Sequence, residues 1–145
     1  MIPLIVLALG ILISYILGGF GVEWFASWKT CVRVGFAGMF LFTGIAHFNR
    51  MRQDLARMVP PIFPNPEVMV TITGVAEFAG AVGLLVPVTT RFAAYGLIAL
   101  LILLLPANIF AAGHKLTIAG RPVTPLWIRV PLQIGWIILL WWAVS

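Results

Sequence analysis

Glu77 is the residue whose position in this sequence most strongly indicates chemistry. It lies at the centre of residues 68–86, a stretch with no other charged side chain, in a chain that is 62% hydrophobic. A carboxylate midway along a membrane-spanning helix costs at least about 2.5 kcal/mol, so it normally faces a partner, a cavity or water rather than lipid. Glu77 is therefore the candidate catalytic residue, and proton exchange is the chemistry that a buried carboxyl group offers.

Further polar residues are predicted to meet Glu77 on one side of the membrane. They are His47, Asn108, Arg129 and Gln133, which lie towards that side on three other hydrophobic segments. With a rise of 1.5 Å per residue, Glu77 lies about 14 Å from the near end of its segment, Gln133 about 10 Å and Arg129 about 5 Å. We expect these residues to form a ligand-binding set, with Phe40 and Trp136 lining its apolar part.

The sequence leaves two states of this set open. If Arg129 reaches inward, Glu77 is ionised and the two form a buried salt bridge, braced by Gln133 and Asn108. If Arg129 instead extends outward to lipid head groups, loss of solvation keeps Glu77 protonated. The alternative, which the sequence favours equally, is that these residues bind no ligand and only fix the register of the helices through hydrogen bonds between them.

Metal and haem chemistry have little support in the sequence. His47 and His114 fall on one side of the membrane, but two histidines are weak grounds for a haem, and no metal site is predicted. Cys31 is the only cysteine, so this chain has no intramolecular disulfide and no dithiol relay. We expect no covalently bound cofactor, and whether the protein is an enzyme stays open.

Five apolar windows must position these residues. They are residues 2–20, 30–48, 68–86, 92–112 and 126–144, each long enough to cross about 30 Å of hydrocarbon as a helix. The sequence therefore predicts an all-α, polytopic membrane helical bundle. Residues 1–145 are expected to form a single transmembrane domain, because no composition shift or polar tail marks another domain.

Three local features add detail to this arrangement of helices. Residues 50–59 place Met51, Leu55 and Met58 on one helical face, which predicts a short helix on the membrane surface, ended by two prolines. Pro106 should kink the fourth span and free the carbonyl of Ile102 for another polar group. Small residues in the second and third spans favour close helix packing and a homo-oligomer.

The net charge of +5 points to the lipid bilayer as partner, because the basic residues lie in short connections between the windows. No nucleic-acid-binding element is visible. Five basic residues fall in connections on the side of the N-terminus and two on the other side. The positive-inside rule then predicts a cytoplasmic N-terminus and an exported C-terminus, in a bacterial inner membrane.

Several short motifs resemble the DoxX-like family of small integral membrane proteins. They are FLFTGIAHF at 40–48, MVPP at 58–61, GVAE at 74–77, GLLVP at 83–87, PANI at 106–109 and RVPLQ at 129–133. The resemblance implies a four-helix DoxX-like core plus one extra N-terminal transmembrane helix. It also implies that His47, Glu77, Asn108, Arg129 and Gln133 are signature positions.

The resemblance suggests a function class. Members include a membrane subunit associated with thiosulfate oxidation by quinone, which implies a subunit that binds a lipophilic redox molecule such as a quinone and acts with a redox partner protein. One alternative is a non-catalytic assembly or scaffold protein. Another is an enzyme or transporter acting alone on a small hydrophobic substrate, although no inverted repeat is visible.

Overall fold

The fold is a helical bundle in a computed structural model that describes residues 2–145. The helices are α1 (Ile2–Gly19), α2 (Trp28–Ala46), α3 (Arg52–Met58), α4 (Pro66–Leu85), α5 (Thr90–Gly113) and α6 (Leu126–Val144). A 3-10 turn (Glu23–Phe25) follows α1, and strands β1 (Thr117–Ile118) and β2 (Arg121–Pro122) lie between α5 and α6.

Five of these helices, all but α3, are long and apolar enough to cross a membrane. Each overlaps one of the windows found in the sequence, so the prediction of an all-α bundle with five membrane-spanning helices is confirmed. The exact starts differ slightly. α4 begins at Pro66, where a proline fits because the first helical residue needs no backbone N–H, and Asn65 before it is left-handed, with φ 53°. The chain is an integral membrane protein.

α2 lies at the centre of the bundle. It packs against α1, α4 and α6, while α5 packs against α4 and α6. Phe36 and Phe40 of α2 are almost fully buried, in one core with Leu97, Trp136 and Leu140. The outward faces of the spanning helices carry large apolar side chains, as contact with lipid requires.

α1 is the peripheral span and packs mainly against α2. The two helices approach very closely at Gly10 and Gly35, since a Cβ atom built on Gly10 would lie 2.8 Å from the Cα of Gly35. Such backbone contact needs small residues and is how helices associate without a hydrophobic driving force.

The ends of the helices are staggered on the side where α2 ends. Glu77 lies about 17 Å from the start of α4, yet it contacts Thr43, which is only about 5 Å from the end of α2. α4 therefore extends about 12 Å beyond α2 on this side, and a notch is left above the end of α2.

α3 is packed against α4 and α5, at this end of the bundle. The sequence predicts a helix at residues 50–59 lying on the membrane surface, but one side of α3 faces protein, with Met58 buried. A hairpin of β1 and β2 joins it, because Asp54 Oδ2 accepts a hydrogen bond of 2.9 Å from the backbone N–H of Ala119. We call α3 and the hairpin together the α3–hairpin unit.

The hairpin is a feature that the sequence analysis did not predict. Its strands pair Thr117 with Pro122 and Ile118 with Arg121, and the two-residue loop between them has positive φ angles, 50° at Ala119 and 74° at Gly120. This is the backbone of the tight turns that suit the twist of paired strands. An alanine at the first loop position is uncommon, so the usual asparagine–glycine signal is missing.

Candidate functional site

One half of the candidate site joins α2 to α4. The hydroxyl of Thr43 donates a hydrogen bond of 2.6 Å to Oε2 of Glu77. His47 Nδ1 lies 3.9 Å from the same oxygen and 3.3 Å from the backbone carbonyl oxygen of Thr43. Glu77 and His47 are both buried. Thr43 was not predicted as a site residue, although it lies one helical turn before His47 in the same motif.

Glycine on each helix allows this close contact. A Cβ atom on Gly74 would lie 2.5 Å from the Cβ of His47 and 2.8 Å from the ring of Phe48. A Cβ atom on Gly44 of α2 would lie 3.3 Å from the ring of Phe78. The two glycines therefore bring the backbones of α2 and α4 together at the level where Thr43 meets Glu77.

Arg52 of the α3–hairpin unit forms hydrogen bonds with residues at the end of α2 and in the first turns of α4. Its guanidinium donates to the backbone carbonyl of His47 at 3.2 Å, to the carbonyl of Glu67 at 3.0 Å and to the hydroxyl of Thr71 at 2.8 Å. Burial, and then the charge of Arg52, lower the pKa of His47 from its usual value of 6.5. His47 is therefore a neutral imidazole near pH 7, able both to donate and to accept a hydrogen bond.

The other half of the site joins α5 to α6. The amide nitrogen of Gln133 donates to the backbone carbonyl of Leu101, and the amide nitrogen of Asn108 donates to Oε1 of Gln133 at 3.5 Å. Gln133 and Asn108 are buried. Gln133 therefore bonds both to the backbone and to a side chain of α5.

Pro106 lies within α5, as predicted, but the carbonyl that receives the side-chain donor is that of Leu101 and not that of Ile102. The reason is that Leu101 and Ile102 lie on different faces of α5. Leu101 is buried towards α6, whereas the Ile102 side chain is 54% exposed on the outer face. Gln133 on α6 therefore bonds to the backbone of α5 at Leu101, on the face of α5 that is turned towards the bundle interior.

The salt bridge between Arg129 and Glu77 that the first alternative predicted is not formed within the described residues. Among residues 2–145, two contacts within 4.0 Å join a basic side chain to an acidic one, Arg57 with Asp54 and the neutral His47 with Glu77, so Arg129 forms no direct salt bridge with Glu77. The Nε atom of Arg129 is buried, and the extension of its terminal nitrogens to lipid head groups stays a prediction. Arg129 is an electrostatic neighbour of Glu77 without touching it.

Two buried donors of α6 lack a hydrogen-bond partner within the described residues. They are Nε of Arg129 and Nε1 of Trp136, and we call them the unpaired donors. Arg129, Gln133 and Trp136 are spaced at i, i+4 and i+7, so they share one face of α6. This face presents three polar groups to the bundle interior, and two of them carry an unsatisfied N–H.

The apolar residues predicted to line a pocket are packed in the core. The ring of Phe40 is stacked on Phe36 with centroids 6.2 Å apart, and Trp136 is only 6% exposed. Two cavities lie elsewhere. A groove of about 590 Å³ between α4 and α5 is lined by small apolar residues, and a cavity of about 160 Å³ surrounds Arg33 near the opposite side of the membrane.

None of the seven predicted site residues lines either cavity. The polar groups are instead held in hydrogen bonds within each half, apart from the unpaired donors. His114, which the haem interpretation needs, is exposed and contacts Phe110. Among residues 2–145, no group of three histidine, cysteine or acidic residues is arranged to hold a metal ion.

Comparison with protein families corrects one interpretation. Residues 36–145 match the family described as Domain of unknown function (DUF8561). The resemblance to the DoxX-like family is therefore wrong, because the family model that matches is a different one. The motifs behind the resemblance are four to nine residues long and rich in small and apolar residues, which many membrane helices contain. No curated protein and no solved structure matches the chain.

Proposed function

The chain belongs to the DUF8561 family, and we propose that it is a membrane protein that binds a lipophilic molecule carrying hydrogen-bond acceptors between α4 and α6. The observation that carries this proposal is the pair of unpaired donors, Arg129 Nε and Trp136 Nε1. A buried polar hydrogen without a partner costs about 1–3 kcal/mol, so an acceptor that reaches both donors is stabilised. Ionisable groups inside a membrane segment also mark functional sites by default.

A quinone is the ligand class that these groups fit best. Its carbonyl oxygens are acceptors, which suits a face of α6 that carries the unpaired donors of Arg129 and Trp136. Its ring and tail are apolar, which suits a site within hydrocarbon. The carboxyl group of Glu77, on α4, is the group that exchanges protons with the ligand.

Reduction of a quinone to a quinol consumes two electrons and two protons. Glu77 can pass protons one at a time, taking each from water on the side where α2 ends. The electrons must come from a separate redox protein, because the chain has a single cysteine and no nucleotide-binding fingerprint. A redox partner in the membrane therefore belongs to this proposal.

Access for the ligand requires part of the protein to move. Phe40 and Trp136 fill the interior near the site, and the α3–hairpin unit packs above the end of α2. The unit packs against α4 and α5, Arg52 binds it to α2 and α4 by hydrogen bonds, and Asp54 joins its two parts. In this proposal the ligand enters when α3 is displaced or when Trp136 changes rotamer.

The proposed location is a bacterial inner membrane with the N-terminus inside. Three arginines of the segment between α2 and α4 and two basic residues of the α5–α6 connection lie on the same side as the end of α2. The positive-inside rule places that side, and with it the route to Glu77, in the cytoplasm.

A second candidate function is a non-catalytic assembly or scaffold protein. It is favoured by the internal pairing of Glu77 with Thr43 and of Gln133 with Asn108, and by the absence of these residues from the walls of both described cavities. In that case the polar groups serve only to fix the register of the helices, which is a known use of buried polar residues.

Binding of ubiquinone to the purified protein in lipid nanodiscs distinguishes the two functions. Glu77→Gln keeps an oxygen that accepts the bond from Thr43, so the bundle stays folded, and we expect ubiquinone binding to weaken at least tenfold. Glu67→Gln makes the same change at an exposed position in the first turn of α4 and should leave binding within twofold.

Trp136→Phe sharpens the same test, because the ring stays apolar and only the unpaired donor and part of the ring are lost. If that donor bonds a ligand, ubiquinone binding falls by about threefold to tenfold, as the loss of one hydrogen bond predicts. Wild-type protein that binds no ubiquinone, and a Trp136→Phe variant without any change in ligand content, would point to the scaffold function.

A further inference from the structure

We propose a second binding site, on the opposite side of the membrane from Glu77, in which Arg33 holds the phosphate group of an anionic phospholipid. This site is separate from the proposed quinone site. It shares none of the residues discussed there, and its test does not depend on the outcome at Glu77.

Arg33 is placed inside the second membrane-spanning helix without a charge to balance it. It lies about 8 Å from the start of α2. Its Nη2 atom donates to the hydroxyl of Thr30 at 2.8 Å, and its Nε atom donates to the backbone carbonyl of Lys29 at 3.3 Å. No hydrogen bond within residues 2–145 uses its Nη1 atom. These bonds are local to one helical turn, so they orient the guanidinium but do not neutralise it.

Acidic partners for Arg33 are lacking on this side of the membrane. The chain has four acidic residues, and of these Asp54 and Glu67 belong to the opposite side while Glu77 is paired with Thr43. Glu23, the one acid near α2's first turn, is exposed and makes no salt bridge within the described residues. A buried or half-buried charge is normally paired, so the partner of Arg33 is to be sought outside the chain.

A cavity lies directly against this guanidinium. Its volume is about 160 Å³, and its walls include Trp24, Thr30, Arg33, Leu84, Pro87 and Thr90. At about 30 Å³ per water molecule, this space could take about five waters, which is enough for a phosphodiester group. The cavity is formed jointly by α2, the 3-10 turn, the end of α4 and the start of α5, so it is part of the bundle.

Two donors in the cavity wall suit a phosphate. Nη1 of Arg33 is free, and the hydroxyl of Thr30 accepts from Arg33 and keeps its own hydrogen for another partner. The hydroxyl of Thr90 is already used, since it donates to the carbonyl of Val86 at 2.8 Å. Guanidinium groups recognise phosphate by charge-assisted, often bidentate hydrogen bonds.

The two neighbouring basic residues do not compete with Arg33, because one already interacts with other groups and the other lies outside the cavity. Lys29 donates to the carbonyl oxygen of Ser145 at 2.7 Å and stacks over the ring of Trp142. Arg91 is exposed and does not line the cavity. Arg33 is therefore the residue that decides binding in the cavity.

The level of the site in the membrane favours a lipid over a dissolved anion. Trp24 and Trp28 are exposed next to it, and Tyr15 of α1 packs against Trp28. Tryptophan and tyrosine side chains of this kind collect at the head-group level of membranes. A phosphate at that level belongs to a lipid whose acyl chains lie along the outer faces of the helices.

The test is native mass spectrometry of the full-length protein titrated with phosphatidylglycerol, phosphatidylcholine or inorganic phosphate. We expect the wild-type protein to bind phosphatidylglycerol at least fivefold more tightly than phosphatidylcholine. Arg33→Gln should remove this preference, while Arg91→Gln, the same change on the same side but outside the cavity, should leave it within twofold.

A second variant tests the same site in case Arg33→Gln does not fold. Thr30→Val keeps the shape of the side chain and removes only the hydroxyl, and we expect it to weaken phosphatidylglycerol binding by about threefold to tenfold, the effect of one hydrogen bond. The site would be overturned if Arg91→Gln and Arg33→Gln reduced phosphatidylglycerol binding equally. It would also be overturned if the wild-type protein bound phosphatidylglycerol and phosphatidylcholine equally tightly. Displacement of the lipid by millimolar inorganic phosphate would support a phosphate site and overturn the lipid as its source.

Discussion

The two helix interfaces that carry the candidate site are built in different ways. The α2–α4 interface combines a carboxyl–hydroxyl contact, between Glu77 and Thr43, with glycines that let the backbones touch. The smaller α5–α6 interface relies on amide groups, with Gln133 bonded to a backbone carbonyl and to Asn108. Gly135 of α6 takes no part in this interface, because it is exposed and a Cβ atom there would meet nothing within 4 Å. Steric changes should therefore damage the first interface most, and loss of hydrogen bonds should matter most in the second.

The largest expected effect follows from adding one methyl group to the α2–α4 interface. In Gly74→Ala the new Cβ atom would lie 2.5 Å from the Cβ of His47, so α2 and α4 must separate. We expect the free energy of unfolding to fall by about 1–3 kcal/mol, the usual cost of overpacking. Unfolding in mixtures of detergent and sodium dodecyl sulfate, followed by circular dichroism, measures this change.

Gly135→Ala is the matched control, at an exposed position of α6 where the new methyl group would contact no other helix. It should be neutral or stabilise the protein by up to about 1 kcal/mol, because alanine favours helix more than glycine does. Equal destabilisation by both substitutions would mean that the close contact at Gly74 does not cause the loss, which contradicts a tightly packed α2–α4 interface.

An intermediate effect is expected from removing the amide of Gln133. Gln133→Leu leaves the donor of Asn108 and the carbonyl of Leu101 without their partner, and hydrogen bonds between membrane helices contribute about 0.6 kcal/mol on average. We expect a loss of about 0.5–1.5 kcal/mol in the same unfolding assay.

The double variant Asn108→Leu with Gln133→Leu isolates the contact between the two amides. Removing both partners should cost less than the sum of the single substitutions, because no donor is left unsatisfied on Asn108. Strict additivity would show that the two amides do not interact in the folded protein.

The smallest expected effect is a dependence of stability on pH at His47. Burial and the charge of Arg52 lower its pKa in the folded state, so the unfolded chain binds a proton more readily. Stability is then fully present above about pH 6.5 and decreases as the pH falls through that value. Arg52 from α3 and Glu77 from α4 are the charged groups that face His47.

His47→Gln should reduce this loss of stability between pH 7 and pH 5, measured as the difference in unfolding midpoint at the two values. An identical pH dependence in wild type and His47→Gln would exclude His47 as its source.

The sequence predicted some features of the candidate site well and others poorly. Glu77, Gln133 and Asn108 were identified because polar residues within long apolar segments are costly and therefore conspicuous, and all three are buried. Thr43 was missed because a threonine in an apolar helix usually bonds its own backbone, so it gives no signal. The split into two halves depends on the rotations of four helices, and residue spacing along one helix does not fix them.

The α3–hairpin unit shows the same limit. The apolar spacing of residues 50–59 predicted a helix, and its amphipathic face fits the membrane surface and a protein groove equally well. The stagger of α2 and α4 creates the notch against which α3 packs, and that stagger arises from contacts such as Thr43 with Glu77. The hairpin escaped prediction because its turn uses Ala119 in a conformation that alanine seldom adopts.

The sequence alone determined that this protein is a bundle of five membrane-spanning helices with ionisable groups inside it, because length and apolarity suffice to place a segment in the bilayer. Tertiary structure alone decided which of the polar groups meet. Glu77 bonds to Thr43 and not to Arg129, and Gln133 bonds to Leu101, because side-chain contacts require helices to approach at one rotation and one height. Small residues such as Gly74 set that approach through packing, an interaction of short range that hydropathy does not report.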